Sequence, residues 1–298
     1  MTIRKAVIPA AGFGTRFLPA TKSQPKEMLP VVDKPTIQYV VEEAVAAGLR
    51  DILMVIGKGK RAIEEHFDRN FELEAELAAK GKQALLRAVR RISELANIHF
   101  VWQKEQRGLG DAIACARDHV GDEPFAVLLG DTVMDAPAAP VTRQLLSVFA
   151  RYQESVVAVE AVERSRLSRY GCIRARRVAE RLYLVQDLVE KPAPAEAPSN
   201  LVIAGRYVFT PDIFRFLARI RRGRDNEVQL TDAMRLMVRE QAIYAWRFEG
   251  MRYDIGNKLD FLKTNLIFGL REPELGPELR RFLRRWARPA RAGAGVRG

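Results

Sequence analysis

Cationic side chains follow a glycine-containing turn near the start of the chain. In the stretch KAVIPAAGFGTRFLPATKSQPKEMLP, Gly12 and Gly14 come directly after an apolar run. Arg16, Lys22 and Lys26 follow within the next twelve positions. Backbone N–H groups in a turn of small residues converge on anionic oxygen atoms, and lysine and arginine add positive charge around them. We therefore predict that this loop binds phosphate groups.

The loop differs from two familiar nucleotide-binding motifs. The dinucleotide fingerprint G-x-G-x-x-G needs a third glycine where this chain has Phe17, and the P-loop pattern also fails. Taken alone, Gly-Phe-Gly is more often a tight turn with incidental basic neighbours. Pro25 and Pro30 stiffen the stretch that carries Lys26, which favours a functional loop.

Short apolar runs separated by helical patterns predict the fold of the first half. KAVIPA, DILMVI, IHFVW and FAVLLG have strand character, and KPTIQYVVEEAVAAG has a helical pattern, with Pro35 near its start and Gly48 past its end. These β-α-β steps predict an α/β protein with a mostly parallel central sheet flanked by helices. Ligands bind beyond the carboxyl ends of such strands. The Gly12 loop, Gln103 and Asp131 should therefore share one edge.

The second half has hairpin-like spacing. SVVAVEAV, YGCIRARR, RLYLVQDLVEKP and NLVIAGRYVFTP predict strands and a sheet that becomes mixed. QLTDAMRLMVREQ predicts a helix that begins at Thr231 or Asp232, and NKLDFLKTNLIFGL predicts another. The charged segment from about 67 to 96 predicts an inserted helical excursion. We expect one catalytic domain over residues 1–270, followed by an arginine-rich tail over 271–298 that is partly disordered.

Composition predicts a globular cytoplasmic protein. The chain has 298 residues, of which 48% are hydrophobic. No apolar run approaches the roughly 20 residues that cross a bilayer, and the N-terminus lacks a signal-peptide core, so we expect no membrane partner. Cys115 and Cys172 are far apart, and the three histidines are scattered. This spacing argues against disulfides and against a transition-metal centre.

The basic charge of the chain is concentrated at its C-terminus. The formal net charge is +12, and seven arginines with no acidic residue follow from Arg280 onward. A solvated basic tail is the simpler interpretation. RNP-type aromatic residues and helix-turn-helix signals are lacking, which argues against a nucleic-acid partner.

Several long motifs resemble one enzyme family. AAGFGTRFLPATKSQPKEMLPVVDKPTIQYVVEEA is similar to the signature of the nucleotide-sugar pyrophosphorylases, and PATKSQPKEMLP resembles the bacterial UTP–glucose-1-phosphate uridylyltransferase branch. FELEAEL, GLGDAI, LVEKPAPAEAPSNLVIAGRYVFTPDIF, NEVQLTDAM and YDIGNKLDF extend the resemblance over the chain except its tail. The resemblance implies a Rossmann-like nucleotidyltransferase fold. It also implies that UTP and glucose 1-phosphate give UDP-glucose and pyrophosphate without a covalent intermediate, and that the chain forms a dimer or tetramer.

The resemblance implies roles for residues of the nucleotide site. Lys26 would lie near the α-phosphate, and Arg16 would bind the departing pyrophosphate. The base would be recognised by Gln103 and approached by Gly108, where the neighbouring Asp111 replaces the histidine of many relatives. The nucleotide would contact the backbone of three residues of the opening loop, Ala11, Gly12 and Gly14.

The resemblance also implies a metal and a sugar site. Mg²⁺ would be held by Asp131 and Asp254, since this ion takes one or two carboxylates together with phosphate oxygens. Thr132 stands where some relatives have a second acid. The sugar phosphate would be bound by four residues, Gly171, Glu190, Lys191 and Gly205. Because adjacent strand residues face opposite ways, Glu190 and Lys191 need a bend, which Pro192 would supply.

Three alternatives stay open at this point. The first is a related enzyme that uses dTTP or another sugar phosphate, such as galactose 1-phosphate. The second is a regulatory homologue that binds a nucleotide sugar without catalysis, although the intact set of charged residues argues against it. The third is a nucleic-acid-binding protein, in which the tail would carry the binding.

Overall fold

Strands alternate with helices along most of the chain. The computed structural model describes residues 3–221, 223 and 226–286. Its strands are β1 (Lys5–Ala10), β2 (Pro30–Val31), β3 (Lys34–Pro35), β4 (Asp51–Ile56), β5 (Asn97–Trp102), β6 (Phe125–Leu128), β7 (Thr132–Asp135), β8 (Ser155–Ala161), β9 (Gly171–Arg177), β10 (Leu182–Glu190), β11 (Leu201–Phe209), β12 (Ile243–Arg247) and β13 (Met251–Asp254). Its helices are α1 (Thr36–Ala46), α2 (Arg61–Phe67), α3 (Phe71–Ala79), α4 (Gln83–Ser93), α5 (Leu109–Ala114), α6 (Arg117–Val120), α7 (Val141–Tyr152), α8 (Ile213–Leu217), α9 (Leu230–Met237), α10 (Lys258–Arg271) and α11 (Gly276–Trp286).

A nine-stranded sheet forms the centre of the molecule, in the order β5-β4-β1-β6-β11-β8-β12-β10-β9. The pairs β1–β4, β1–β6, β4–β5 and β8–β12 are parallel. In contrast, β10 and β11 are antiparallel to each strand that they pair with. Seven of the nine strands therefore run in one direction. This sheet confirms the predicted α/β class and the change to mixed pairing in the second half.

Helices cover both faces of the sheet because successive strand side chains point to opposite sides. Val7 and Leu53 pack in a buried cluster with α5, α8 and α9. Their neighbours Ile8 and Met54 pack in a second cluster with α1, α2 and α7. Burial on both faces explains why β1 and β4 are almost continuously apolar in sequence.

Two predicted helices differ in how closely the sequence located their ends. As predicted, α1 begins directly after Pro35, and Gly48 lies past its end with a φ of +96°. In contrast, α9 begins at Leu230, so the predicted start at Thr231 or Asp232 is wrong. The Thr231 hydroxyl donates to Glu190 Oε2 at 2.6 Å and does not cap the helix.

The predicted excursion at about 67–96 is helical and contains α3 and α4. Glu74, only 3% exposed, joins them to the preceding loop. Its carboxylate accepts hydrogen bonds from Arg69 Nη2 at 2.6 Å and from Arg90 Nε at 2.8 Å. The carboxylate is therefore paired where the two helices meet.

The first part of the predicted tail is helical. The predicted boundary at 270 falls one residue before the end of α10, and α11 packs back on that helix. Arg280 Nη2 donates to the Leu270 carbonyl at 2.6 Å. Residues 287–298, the rest of the predicted tail, lie outside the described residues. Within the described residues, no helix is both long enough and apolar enough to cross a bilayer.

Candidate functional site

Two neighbouring cavities open at the carboxyl ends of the strands. The first has a volume of about 400 Å³ and the second of about 250 Å³. Asp131, Leu109 and Leu129 line both. Of the other predicted site residues, the first cavity is lined by Ala11, Gly12, Lys26, Gln103 and Gly108. The second is lined by Arg16, Gly171, Glu190, Lys191, Gly205 and Asp254. The predicted residues therefore come together at one rim, with Gly14 as the exception.

Gly14 shapes the loop and lines neither cavity, which differs from the predicted backbone contact with a nucleotide. Its φ is +69°, a conformation that favours glycine. A Cβ atom there would lie 3.1 Å from Lys26 Cβ and 3.2 Å from Thr21 Cγ2. Its carbonyl accepts from Thr21 Oγ1 at 2.7 Å, inside the loop. Gly14 thus lets Lys26 lie close to the turn.

Lys26 and Asp131 form an ion pair at the edge shared by the two cavities. Lys26 Nζ lies 2.5 Å from Asp131 Oδ2, and the side chains are 21% and 26% exposed. Burial alone would lower the pKa of Lys26, but the Asp131 carboxylate, assisted by Glu27, raises it above its ordinary value. Burial opposes ionisation of Asp131 as well, and Lys26 holds the pKa of that carboxyl below its usual range. Both groups are therefore charged near neutral pH.

A buried ion pair between Glu27 and Lys60 lies next to Lys26. Glu27 Oε2 accepts a hydrogen bond from Lys60 Nζ at 2.7 Å, and the two side chains are 1% and 5% exposed. The other Glu27 oxygen lies 3.9 Å from Lys26 Nζ. Sequence analysis did not identify Glu27 or Lys60, because the two are 33 residues apart and no motif joins them.

Asp131 and Asp254 are held side by side by the pairing of β7 with β13. Asp254 is the register partner of Thr132, and the Ile255 amide donates to the Asp131 carbonyl at 3.0 Å. The Asp254 carboxylate accepts from Tyr170 Oη at 2.7 Å and from the Gly256 amide at 2.8 Å. Both carboxylates line the second cavity. Two neighbouring carboxylates at a cavity wall fit a hard divalent cation.

Arg16 lies on the Asp254 side of the site. Its Nη1 donates to the Gly256 carbonyl at 3.3 Å, and its side chain lines the second cavity. The guanidinium of Arg16 thus adds positive charge next to the two carboxylates.

Gln103 is buried at the wall of the first cavity, with only 5% of its surface exposed. Its amide nitrogen donates to the Gly108 carbonyl at 3.1 Å and to Asp111 Oδ2 at 2.8 Å. Both amide hydrogens are therefore engaged, and the oxygen is the polar atom left for a ligand. Gly108 has a φ of +97°, and a Cβ atom there would lie 2.7 Å from Glu227 Cβ.

Glu190 and Lys191 both line the second cavity because the chain turns between them. β10 ends at Glu190, and Lys191 adopts a φ of +45°, which is uncommon for a residue with a Cβ atom. The predicted bend therefore lies at Lys191, one residue before Pro192. Glu190 Oε1 lies 3.4 Å from Lys191 Nζ.

Gly171 and Gly205 are two of the glycines that line this cavity. A Cβ atom at Gly171 would lie 3.1 Å from Thr231 Oγ1 and 3.2 Å from Glu190 Oε2. Gly205 has a φ of +79° and lies where the pairing of β11 with β8 changes register.

Arg206 is a buried residue that sequence analysis missed. Only 1% of its surface is exposed, and its Nε and Nη2 donate to Glu43 Oε2 at 2.9 and 2.8 Å. It also donates to three carbonyls that flank the cavities: Leu129 at 3.3 Å, Gly205 at 3.0 Å and Thr132 at 2.7 Å. An arginine inside the apolar run LVIAGRYVF was the available signal, because charged residues are rarely buried unless they are paired.

Comparison with known proteins identifies the family. The nucleotidyl transferase family matches residues 5–268. The chain is 52% identical over 281 residues to the UTP–glucose-1-phosphate uridylyltransferase of Bacillus subtilis (strain 168), covering 94% of this chain and 96% of that protein. The chain belongs to the UTP–glucose-1-phosphate uridylyltransferase family of nucleotidyl transferases. A Staphylococcus epidermidis (strain RP62A) enzyme of the same name is 52% identical, with 95% and 98% of the two chains covered.

Solved structures of this uridylyltransferase family have the same fold. A UDP-glucose pyrophosphorylase complexed with UDP-glucose matches with a TM-score of 0.85 and 42% identity, over 91% of this chain and all of that one. A UTP-bound UGPase from Acinetobacter baumannii matches with a TM-score of 0.87 and 40% identity, over 95% and 99%. The predicted resemblance and the nucleotidyltransferase fold are confirmed.

Proposed function

We propose that this chain transfers the uridylyl group of UTP to glucose 1-phosphate, which gives UDP-glucose and pyrophosphate. The observation that carries the proposal is the pair of cavities joined at Asp131. One is lined by the opening glycine-containing loop and a buried carboxamide, and the other by the Glu190–Lys191 pair. This arrangement supports a nucleotide and a sugar phosphate lying next to each other, and the named activity of the relatives supports the same reaction.

The reaction needs alignment and charge neutralisation more than a protein nucleophile. A phosphate oxygen of glucose 1-phosphate attacks the α-phosphorus of UTP in line, and the bond to the leaving pyrophosphate oxygen breaks. Lys26 would move its Nζ from Asp131 to the α-phosphate, where it offsets the negative charge of the transition state. Lys191 would bind the phosphate of the sugar, and Glu190 would accept hydrogen bonds from glucose hydroxyls. Arg16 remains our candidate for binding the pyrophosphate.

Mg²⁺ is the cation that we propose for Asp131 and Asp254. When bound, it would neutralise negative charge on the phosphate oxygens. Tyr170 would orient Asp254 through its 2.7 Å hydrogen bond, and the Gly256 amide would fix the other carboxylate oxygen. The Lys26–Asp131 pair would keep both partners charged until the substrates bind.

One assay tests the function directly. We expect pyrophosphate release when the full chain is given UTP, glucose 1-phosphate and Mg²⁺, and none when either substrate or the cation is omitted. Turnover should be slower when dTTP replaces UTP and when galactose 1-phosphate replaces glucose 1-phosphate. Failure to release pyrophosphate from UTP, or a preference for dTTP, would reject the proposal.

Base selectivity should depend on Gln103. Its carboxamide oxygen can accept the N3–H of uracil, whereas cytosine has no hydrogen on N3. A mismatch that leaves buried polar groups unpaired can cost about 10⁴-fold in kcat/KM. We therefore expect kcat/KM with CTP to fall below that with UTP by up to about 10⁴-fold.

The Gln103→Ala variant should reduce the ratio of kcat/KM with UTP to kcat/KM with CTP, mainly by lowering kcat/KM with UTP. The exposed Gln83, on α4, provides a control, because Gln83→Ala should leave the ratio unchanged. An unchanged ratio in Gln103→Ala would remove Gln103 from base recognition.

Self-association as a dimer or tetramer also remains a proposal. Leu259, Leu262 and Leu266 are 60%, 64% and 38% exposed on α10, at the three- and four-residue spacing of one helix face. Such an apolar face is a surface that a second copy would cover. The cytoplasmic location, the division into a domain and a tail, and the lack of a nucleic-acid partner stay predictions.

A further inference from the structure

The fold brings together two histidines that are scattered in the sequence. Asp51 is the first residue of β4, His99 the third of β5 and His119 the third of α6. The cluster lies at the amino end of β4, whereas both cavities lie beyond the carboxyl ends of the strands. At about 3.3 Å per residue, the length of β4 separates the two by about 16 Å. The cluster is therefore separate from the proposed catalytic site.

The ligand atoms of the three side chains are close enough to share one ion. His119 Nε2 lies 2.9 Å from Asp51 Oδ1, and His99 Nε2 lies 3.7 Å from the same oxygen. All three ligand atoms lie within 4.8 Å of one another. Zinc binds imidazole nitrogen and carboxylate oxygen at about 2.0–2.2 Å, so two ligands on one ion are typically about 3–3.5 Å apart. Small side-chain rotations would bring the cluster to this spacing.

Access and charge also suit a cation. The side chains of His99, Asp51 and His119 are 54%, 35% and 24% exposed, so that an ion can enter from solvent. A neighbouring cation, Lys5, pairs with Glu123 at 2.8 Å and donates to the carbonyls of His119 and Val120. Its charge is thus balanced by an acid of its own.

We propose that Asp51, His99 and His119 form a binding site for a divalent transition-metal ion of the zinc class, with water completing the coordination. Imidazole ligands favour zinc, copper and nickel over magnesium, whose preferred ligands are oxygen atoms. This proposal runs counter to the expectation from sequence that the scattered histidines argue against such a centre. The ion would link β4, β5 and α6 at the end of the sheet opposite the cavities.

Calorimetric titration of the full chain with ZnCl₂ tests the site. Mg²⁺ is kept in excess, so that it competes for the oxygen ligands of Asp131 and Asp254. We expect one Zn²⁺ per chain, and we expect His99→Ala and His119→Ala each to weaken binding by about tenfold or more. His66→Gln is the matched control, because His66 Nε2 contacts Gln38 Oε1 at 3.0 Å, outside the cluster. This variant should bind as the unchanged chain does.

Co²⁺ provides a second readout, because its visible absorption reports nitrogen and oxygen coordination. The visible absorption of bound Co²⁺ should be lost in His99→Ala and retained in His66→Gln. His99 is more than half exposed, so its substitution should leave the circular dichroism spectrum unchanged even if His119→Ala fails to fold. Undiminished Zn²⁺ binding in a folded His99→Ala variant would overturn the proposal, as would the lack of any saturable binding in the unchanged chain.

Discussion

The Lys26→Ala variant is expected to lower kcat for UDP-glucose formation by about a hundredfold or more, which corresponds to a loss of about 3–4 kcal/mol of transition-state stabilisation. Lys26 is the cation that lines the first cavity next to the carboxylate shared with the second. In the proposed mechanism, this variant removes the positive charge that Lys26 brings to the α-phosphate. Release of pyrophosphate at saturating UTP and glucose 1-phosphate measures the effect.

Two further variants separate catalysis from folding. Lys80→Ala removes an exposed lysine on the helical excursion and should keep full turnover. Lys26→Arg keeps the charge but changes its shape, so it should recover only part of the activity. The free energy of unfolding of Lys26→Ala is measured in urea alongside, because the substitution also leaves Asp131 without its ion-pair partner. Near-normal turnover in a folded Lys26→Ala protein would exclude Lys26 from the mechanism.

The second large effect concerns stability. The Arg206→Met variant is expected to lose about 3–5 kcal/mol of unfolding free energy, because it leaves the buried Glu43 carboxylate without its charge partner. The carbonyls of Leu129, Thr132 and Gly205 would lose a donor at the same time. Unfolding in urea followed by circular dichroism measures the loss.

A double substitution identifies the cause. Glu43→Leu combined with Arg206→Met removes both charges and should recover part of the lost stability, since an apolar pair can replace a buried ion pair. Recovery should be incomplete, because the Thr142 hydroxyl and amide also donate to Glu43 Oε1. The control is Arg235→Ala, whose surface pair with Asp187 should be worth at most about 1 kcal/mol. A loss in Arg206→Met no larger than in this control would contradict the assigned role.

Most of the fold and the placement of the site could be predicted because they rest on local patterns. Apolar runs with helical segments between them predicted the strands of the first half. The carboxyl ends of these strands predicted the edge of the sheet at which Gln103 and Asp131 line the same cavity. The pair Glu190–Lys191 was expected to need a bend, and the structure has one. What the patterns left out is the position of that bend, since a positive φ at Lys191 has no sequence signal such as glycine.

Interactions between distant segments could not be predicted in the same way. Glu27 and Lys60 come from a loop and from the residue before α2, and only the folded chain brings them together. Likewise, Asp51, His99 and His119 share no spacing that resembles a metal motif. Thr231 looked like a helix cap because threonine is favoured there, whereas its hydroxyl bonds to Glu190 across 41 positions of sequence.

The two cavities share Asp131, Leu109 and Leu129, and most of their other lining residues come from different parts of the chain. The exceptions are Arg16 and Thr132 in the second cavity and Glu227 in the first. Gln103 and Gly108, in the first cavity, lie before α5, whereas Glu190 and Gly205, in the second, lie on β10 and β11. Nucleotide preference and sugar preference should therefore be open to independent engineering. A chimera with another family member joined near residue 140 would exchange most of the lining of the first cavity and keep most of the second. An inhibitor that spans both cavities would gain affinity from each.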